Sequence, residues 1–226
     1  MSPSQEVDVR RNLLAANAAA ADALRERFAA AGTLVVNLIS APGSGKTTLL
    51  EKSVAPLRAA GLRLAALEGD IATERDAERL RAAGIPAHQI VTGGTCHLDA
   101  RLVAAGLEKA AFGALDVLFI ENVGNLVCPT SYDLGEDFKV ALLSVTEGED
   151  KPFKYPGIFA RAEITVVTKA DLLAHVPFRL DEAHAQVRAL RPDGRWIVTS
   201  ATTGQGLDEW CAELTARAAA KRAARG

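Results

Sequence analysis

The chain has 226 residues, enough for an α/β unit with a sizeable buried core. Its formal net charge of −2 leaves no electrostatic footprint for nucleic acid or an anionic membrane surface, and no apolar stretch reaches bilayer-spanning length. Three cysteines without scaffold-like spacing, and no signal-peptide core, fit a reducing compartment; a cytoplasmic protein without nucleic-acid or membrane partners is expected.

Residues 8–31 are alanine-rich, with Leu13, Leu14, Leu24 and Phe28 at helical spacing and Gly32 as a stop signal. They predict an N-terminal helix (1–31) packed on a domain spanning 32–226. Residues 33–39 form a β-rich apolar run that leads into Ser40-Ala41-Pro42-Gly43-Ser44-Gly45-Lys46-Thr47-Thr48 and a helical stretch to about Ala60. Strand, small-residue loop and helix in that order are the setting of a Walker A loop. Backbone N–H groups can turn around phosphates there, and the helix N-terminus adds positive potential. Pro42 through Thr48 are the expected phosphate-binding residues, with Lys46 at the β- and γ-phosphates and the Thr47 hydroxyl on Mg²⁺. Ser40 stands where the pattern usually has its first glycine.

Residues 62–67 read as the next buried strand, ended by Glu68-Gly69-Asp70. Asp70 is the candidate second switch carboxylate in the magnesium shell; the alternative is an N-cap for a helix carrying Asp76, Glu78 and Leu80. Gly93-Gly94-Thr95-Cys96-His97 leads into a further helix. Residues 117–120 make a third buried strand, ended by Glu121, where a Walker B acid orients the magnesium shell or the attacking water. Asp116 begins that strand and so lies at the wrong end, roughly 16 Å away. The Gly124 N–H is placed to sense the γ-phosphate. Lys46, Asp70 and Glu121 form the predicted catalytic set.

Residues 121–137 are irregular, rich in Gly, Asn, Pro and Asp, and carry Cys128 seven residues beyond Glu121. With Cys96 and His97 this gives two thiolates and an imidazole, a donor set suited to Zn²⁺ or Ni²⁺ and, on affinity grounds, copper. Three ligands fall one short of a closed tetrahedron, which water or a second chain across a symmetry axis would complete. The alternative makes both cysteines small buried apolar residues and His97 a hydrogen bonder at a helix start. Position favours the metal: the segment should move with the γ-phosphate.

Residues 138–145 read as a further strand, at an edge. Lys154 is a candidate to act in trans, against a plain solvated lysine. The strand 164–168 ends in Thr168-Lys169-Ala170-Asp171, which resembles the Asn-Lys-x-Asp guanine motif with Thr in place of Asn. The Asp171 carboxylate can accept from the guanine N1–H and exocyclic amine, a donor pair adenine lacks. The Lys169 stem would lie across the base. A short strand at 197–199 precedes Ser200-Ala201-Thr202-Thr203-Gly204, which resembles the second guanine loop. Leu207, Trp210, Cys211 and Leu214 form a helical apolar stripe, so Cys211 is expected in the core, and His88, His175 and His184 are isolated. Lys221, Arg222 and Arg225 are expected to favour the negative end of a last helix. The alternation of strands and helices predicts an α/β fold with a doubly wound, mainly parallel sheet: a P-loop NTPase.

Together these residues resemble the HypB family, hydrogenase nickel-incorporation GTPases of the dimeric P-loop (SIMIBI-type) class. The similarity runs from roughly Leu13 to Trp210 and is carried by SAPGSGKTTLLE, EGDIATERDAERL, GGTCHLDA, FIENVGNLVCP, SYDLGE and TEGEDKPFKYP. The resemblance implies a homodimer binding GTP or GDP with Mg²⁺, and a subunit-interface metal site for Ni²⁺ or Zn²⁺ at Cys96, His97 and Cys128. It also implies two partners, the metallochaperone HypA and a hydrogenase large subunit. Residues 1–30 contain neither Cys nor His, unlike relatives with a Cys-rich or His-rich N-terminal tract, so neither a separate tight site nor nickel storage is expected. The urease accessory GTPase is the nearest cousin, but its metal motif resembles Cys-Pro-His, whereas here His97 follows Cys96 directly. No arginine finger or water-positioning Gln stands out, so slow turnover is expected. Two other classes stay open: a non-catalytic nucleotide sensor, and a P-loop kinase, which the base-reading loop and the lack of an evident lid or acceptor site disfavour.

Overall fold

The computed structural model describes residues 3–70 and 74–225, with side chains from residue 14 onward. Seven strands form one sheet: β1 (Leu34–Ile39), β2 (Leu64–Asp70), β3 (Ala87–Val91), β4 (Val117–Glu121), β5 (Phe138–Ser144), β6 (Ile164–Thr168) and β7 (Arg195–Val198). Their order is β3-β2-β4-β1-β5-β6-β7 and every pairing is parallel. Parallel neighbours need crossovers, and the intervening helices cover both faces. That is why the central strands are apolar at nearly every position instead of alternating with polar residues.

Strand geometry sends successive side chains to opposite faces. Leu34, Val36 and Leu38 pack with Leu49 and Leu57 of α2 (Lys46–Ala59) and with Trp210 and Leu214 of α8 (Leu207–Ala223). Val35, Leu118 and Ile120 face the other way, onto Leu24 and Phe28 of α1 (Pro3–Ala31) and Val103 and Leu107 of α4 (Ala100–Ala110). The same face continues over β5 and β6 with Phe159 of α6 (Pro156–Arg161) and Val187 of α7 (Leu180–Leu190). Each large side chain so buried contributes on the order of 2 kcal/mol. Trp210, fully buried, also donates its indole N–H to Ser53 Oγ at 3.0 Å. Two short helices complete the set, α3 (Arg75–Ala82) and α5 (Lys151–Lys154).

The doubly wound parallel sheet agrees with expectation, and four details differ. Residues 138–145 were expected at an edge, but β5 lies between β1 and β6 because helices cover both its faces; its one charge, Lys139, is neutralised by Glu136. The edges are instead β3, whose pattern is short and interrupted by His88 and Gln89, and the four-residue β7. Asp70 ends β2 while Glu74 caps α3, so the capping alternative does not hold; residues 71–73 of the EGDIATERDAERL motif lie outside the described residues. The C-terminal basic residues make tertiary contacts, Lys221 to Asp137, Arg222 to Asp116 and Arg225 to the Ala31 carbonyl, beyond any effect on the helix end. Cys211 is buried in the core, as its stripe predicts. Leu13, in the predicted first-helix stripe, has a side chain outside the described set. Among the described residues, no helix is long and apolar enough to cross a membrane.

Candidate functional site

The chain order reverses around β1, with β4 on one side and β5 on the other. At such a switch point the loops leaving the strand ends part and open a crevice. The loop after β1 fills it: Gly45 takes a left-handed conformation (φ 93°) and caps α2 without a side-chain bond. Lys46 is buried, its ammonium 2.9 Å from Ser40 Oγ and 3.9 Å from Glu121 Oε1. The Thr47 hydroxyl donates to the same Glu121 oxygen at 3.0 Å. Gly124 presses onto the loop, for a Cβ there would lie 3.0 Å from Pro42 Cα.

These groups line a cleft of about 560 Å³ together with Asp70, Asp76 and Glu68. Sequence reasoning missed Glu68. It pairs in register with Glu121 across β2 and β4, and both side chains leave the sheet on the α2 face. Both are buried, and Glu68 Oε1 and Glu121 Oε2 meet no donor among the described residues. Burial, then the Glu121 charge, pushes the Glu68 carboxyl well above the usual carboxylate range. Burial also raises Glu121, opposed by Lys46. Two hard carboxylates with unused oxygens beside a threonine hydroxyl are a donor set that fits Mg²⁺.

A second cavity of about 370 Å³ continues the cleft, sharing Gly45, Thr48 and Lys169 with it and adding Asp171 and Ala201. Asp171 Oδ1 accepts from Ser200 Oγ at 2.5 Å, which fixes its plane. Thr168, standing where the guanine motif usually has Asn, donates to the Ser44 carbonyl at 2.6 Å. Lys169 takes φ 59° and reaches the Gly43 carbonyl at 2.7 Å. The loop after β6 and the loop after β1 are therefore tied directly together. Glu147, also missed, accepts from Ser44 Oγ at 2.5 Å and belongs to the TEGED stretch. Arg79 stands at the cleft mouth, bound to Thr48, Glu51 and Asp76. Lys154 is held by Asp150 and is not among the cleft-lining residues.

Cys96, His97 and Cys128 come together although 31 residues separate the outer two: their ligand atoms lie within 4.8 Å of one another. All three are half-buried. The Cys128 thiol, then burial, holds Cys96 above the ordinary cysteine range, and burial keeps the His97 imidazole below its usual value, hence neutral at pH 7. The imidazole lies 3.8 Å from Cys96 Sγ and its ring centroid 3.9 Å from that of Tyr132. A neutral imidazole and two thiols that release protons on binding suit a borderline cation such as Ni²⁺ or Zn²⁺.

The two clusters meet at the end of β4. Glu121 faces the phosphate loop. The next residue, Asn122, turns to the opposite face, where Oδ1 accepts the Leu98 N–H at 3.1 Å and Nδ2 reaches Asn37 at 3.4 Å. Three residues on, Asn125 receives the Val127 N–H at 2.8 Å and the Cys128 N–H at 3.4 Å, and donates to the Cys96 carbonyl at 3.4 Å. One segment thus carries Glu121 and Gly124 at the cleft, Asn122 bonded to Leu98 beside His97, and Asn125 and Cys128 at the cysteine–histidine cluster.

Residues 33–198 match the family model described as the CobW/HypB/UreG nucleotide-binding domain. The hydrogenase maturation factor HypB of Escherichia coli (strain K12) is 48% identical over 210 residues, covering 93% of this chain and 72% of that protein. The crystal structure of HypB from Helicobacter pylori in complex with nickel superposes with a TM-score of 0.85 at 37% identity, covering 91% of this chain and 96% of the other. HypB from Archaeoglobus fulgidus gives a TM-score of 0.84 at 38% identity, covering 91% and 100%.

Proposed function

The chain belongs to the CobW/HypB/UreG nucleotide-binding family, among its HypB hydrogenase maturation factors, and on that premise we propose that it is a slow GTPase whose cycle governs the holding and release of nickel. Nickel, or zinc in its place, is cargo at Cys96, His97 and Cys128, destined for a [NiFe]-hydrogenase large subunit with HypA as the metallochaperone partner. A cytoplasmic homodimer, the second copy or water completing the metal shell, is the form the reading implies.

The observation that carries the proposal is the single segment 121–128, which joins the phosphate cleft to the thiolates. In the cleft, Lys46 would leave Ser40 Oγ for the β- and γ-phosphates and offset charge as water attacks the γ-phosphorus in line and GDP departs. Mg²⁺, when bound, supplies further charge there; Thr47, Glu121 and Asp70 would hold it, with Glu68 beside them. The Gly124 N–H is suited to meet the γ-phosphate. Asp171, its plane set by Ser200, would accept the guanine N1–H and amine, with Lys169 along the base and the Ala201 backbone at its carbonyl. With no glutamine among the cleft-lining residues to position water, a low intrinsic rate is expected, as suits a switch.

Multiple-turnover phosphate release from GTP and from ATP tests this in wild type, Lys46→Ala and Asp171→Asn. Slow catalytic release from GTP is expected, abolished by Lys46→Ala, with guanine preference falling at least about a hundredfold in Asp171→Asn. Release that stops at one phosphate per chain would leave a nucleotide sensor, and intact selectivity in Asp171→Asn would remove the base assignment.

A further inference from the structure

The helix α1 lies on the face of the sheet opposite α2, and one of its side chains is tied to both arms of the cysteine–histidine cluster. Asn17, 4% exposed, donates from Nδ2 to the Asp133 carbonyl at 2.8 Å and accepts the Ala100 N–H at Oδ1, also at 2.8 Å. Ala100 opens α4 three residues after His97. Asp133 follows the Cys128–Ser131 turn and Tyr132, whose ring lies against His97. Two helical turns further along α1, the Arg25 guanidinium meets the Asp133 carboxylate at 2.5 Å. Gly135 closes the contact: it takes φ +77°, and a Cβ there would lie 2.8 Å from the Ala21 carbonyl, so the cluster's second arm rests directly on the helix backbone.

Helix formation does not explain Asn17. It interrupts a run of alanines, all better helix formers, at residues 15–21. Both halves of its carboxamide are used, and an apolar residue there would leave the buried Ala100 N–H and the part-buried Asp133 carbonyl without these partners. We propose that Asn17 is a positioning residue for the cargo metal: it fixes the spacing between the Cys96–His97 arm and the Cys128–Tyr132 arm, so that α1 sets metal affinity independently of the nucleotide. The proposal rests on reading Cys96, His97 and Cys128 as the cargo site.

The test uses the full chain as wild type, Asn17→Ala, Asn17→Asp and Cys128→Ala. Ni²⁺ affinity is read by competition with a chromophoric chelator, nickel geometry by the thiolate-to-nickel absorption band, and GDP affinity with a fluorescent analogue. Both Asn17 variants are expected to bind Ni²⁺ about tenfold more weakly, with an altered band, as when outer groups that orient ligands are lost; GDP affinity should stay within about twofold of wild type, since no term at that site has changed. Asn17→Asp nearly preserves shape while setting an acceptor against the Asp133 carbonyl, so it carries the test if Asn17→Ala fails to fold. Wild-type nickel affinity and band in the Asn17 variants, with binding lost in Cys128→Ala, would overturn the strut and leave the cargo site standing. GDP affinity falling in step with nickel would overturn it in favour of a general structural role. Unchanged binding in Cys128→Ala would remove the cargo site itself, and the proposal with it.

Discussion

Glu68 is 2% exposed and sits beside a second buried carboxyl, Glu121, and one oxygen of each meets no donor among the described residues. Such a buried pair is costly unless a cation offsets it. Removing one ionisable carboxyl should therefore help the empty protein and harm the loaded one. Glu68→Gln is expected to raise the stability of the nucleotide-free, Mg²⁺-free chain by about 1 kcal/mol and to weaken Mg²⁺-dependent GDP binding roughly tenfold. Thermal melts with and without Mg²⁺ and GDP measure both; equal stabilisation of variant and wild type by Mg²⁺·GDP would remove Glu68 from the cation site. The sequence points to Asp70 and Glu121 because each ends a buried strand. Glu68 escapes that reading because its partner lies 53 residues away and is set by register. The available signal was its position two residues before Asp70, which places both on one face.

At the scale of elements, the two ends of β4 divide the labour. Glu121 lies at the cleft, while at the opposite end Asp116 takes the Arg63 guanidinium at 2.9 Å, the Arg63 N–H at 2.8 Å and Arg222 of α8. Hydrogen bonding to Arg63 holds the Asp116 carboxyl below its ordinary 3.8. A depressed folded-state value means that this stabilisation is complete above the unfolded value and is lost as pH falls through the folded one. Asp116→Asn should lower the melting temperature by about 2–4 °C at pH 7, the gap closing as the pH falls below 3.8 and on through the depressed folded-state value. A gap that persists unchanged at low pH would contradict the ion-pair origin.

The legibility of the elements follows the same logic of distance along the chain. The phosphate loop and the Thr168–Asp171 and Ser200–Gly204 stretches could be read because each is a contiguous run with its own turn chemistry. The strand β5 was misplaced and β3 overlooked because position in a sheet is decided by what covers each face, which no local pattern states. Asn17, Asn122 and Glu147 look like ordinary polar residues until partners 116, 24 and 103 residues away are in place.

Across the whole molecule, the nucleotide cleft lies on the α2 face of the sheet and the cysteine–histidine cluster on the α1–α4 face. The crossing is made where β4 ends, because adjacent residues of an extended chain point to opposite faces: Glu121 bonds Thr47 in the cleft, and Asn122 takes the Leu98 N–H beside His97. Gly124 against Pro42 and Asn125 between Cys96 and Cys128 extend that crossing. On the proposed reading, a terminal phosphate that shifts Gly124 strains or relaxes the bonds Asn125 makes to both cysteine arms. Coupling of this kind is reciprocal, so nickel must change nucleotide affinity by the factor by which nucleotide changes nickel affinity.

The most direct test is the Ni²⁺ affinity of the full chain, measured with GDP and again with a non-hydrolysable GTP analogue, in wild type and in Asn125→Ala. Wild-type affinity is expected to differ about tenfold between the two states, with the difference shrinking in Asn125→Ala. Identical nickel affinity in both nucleotide states of the wild type would contradict the coupling.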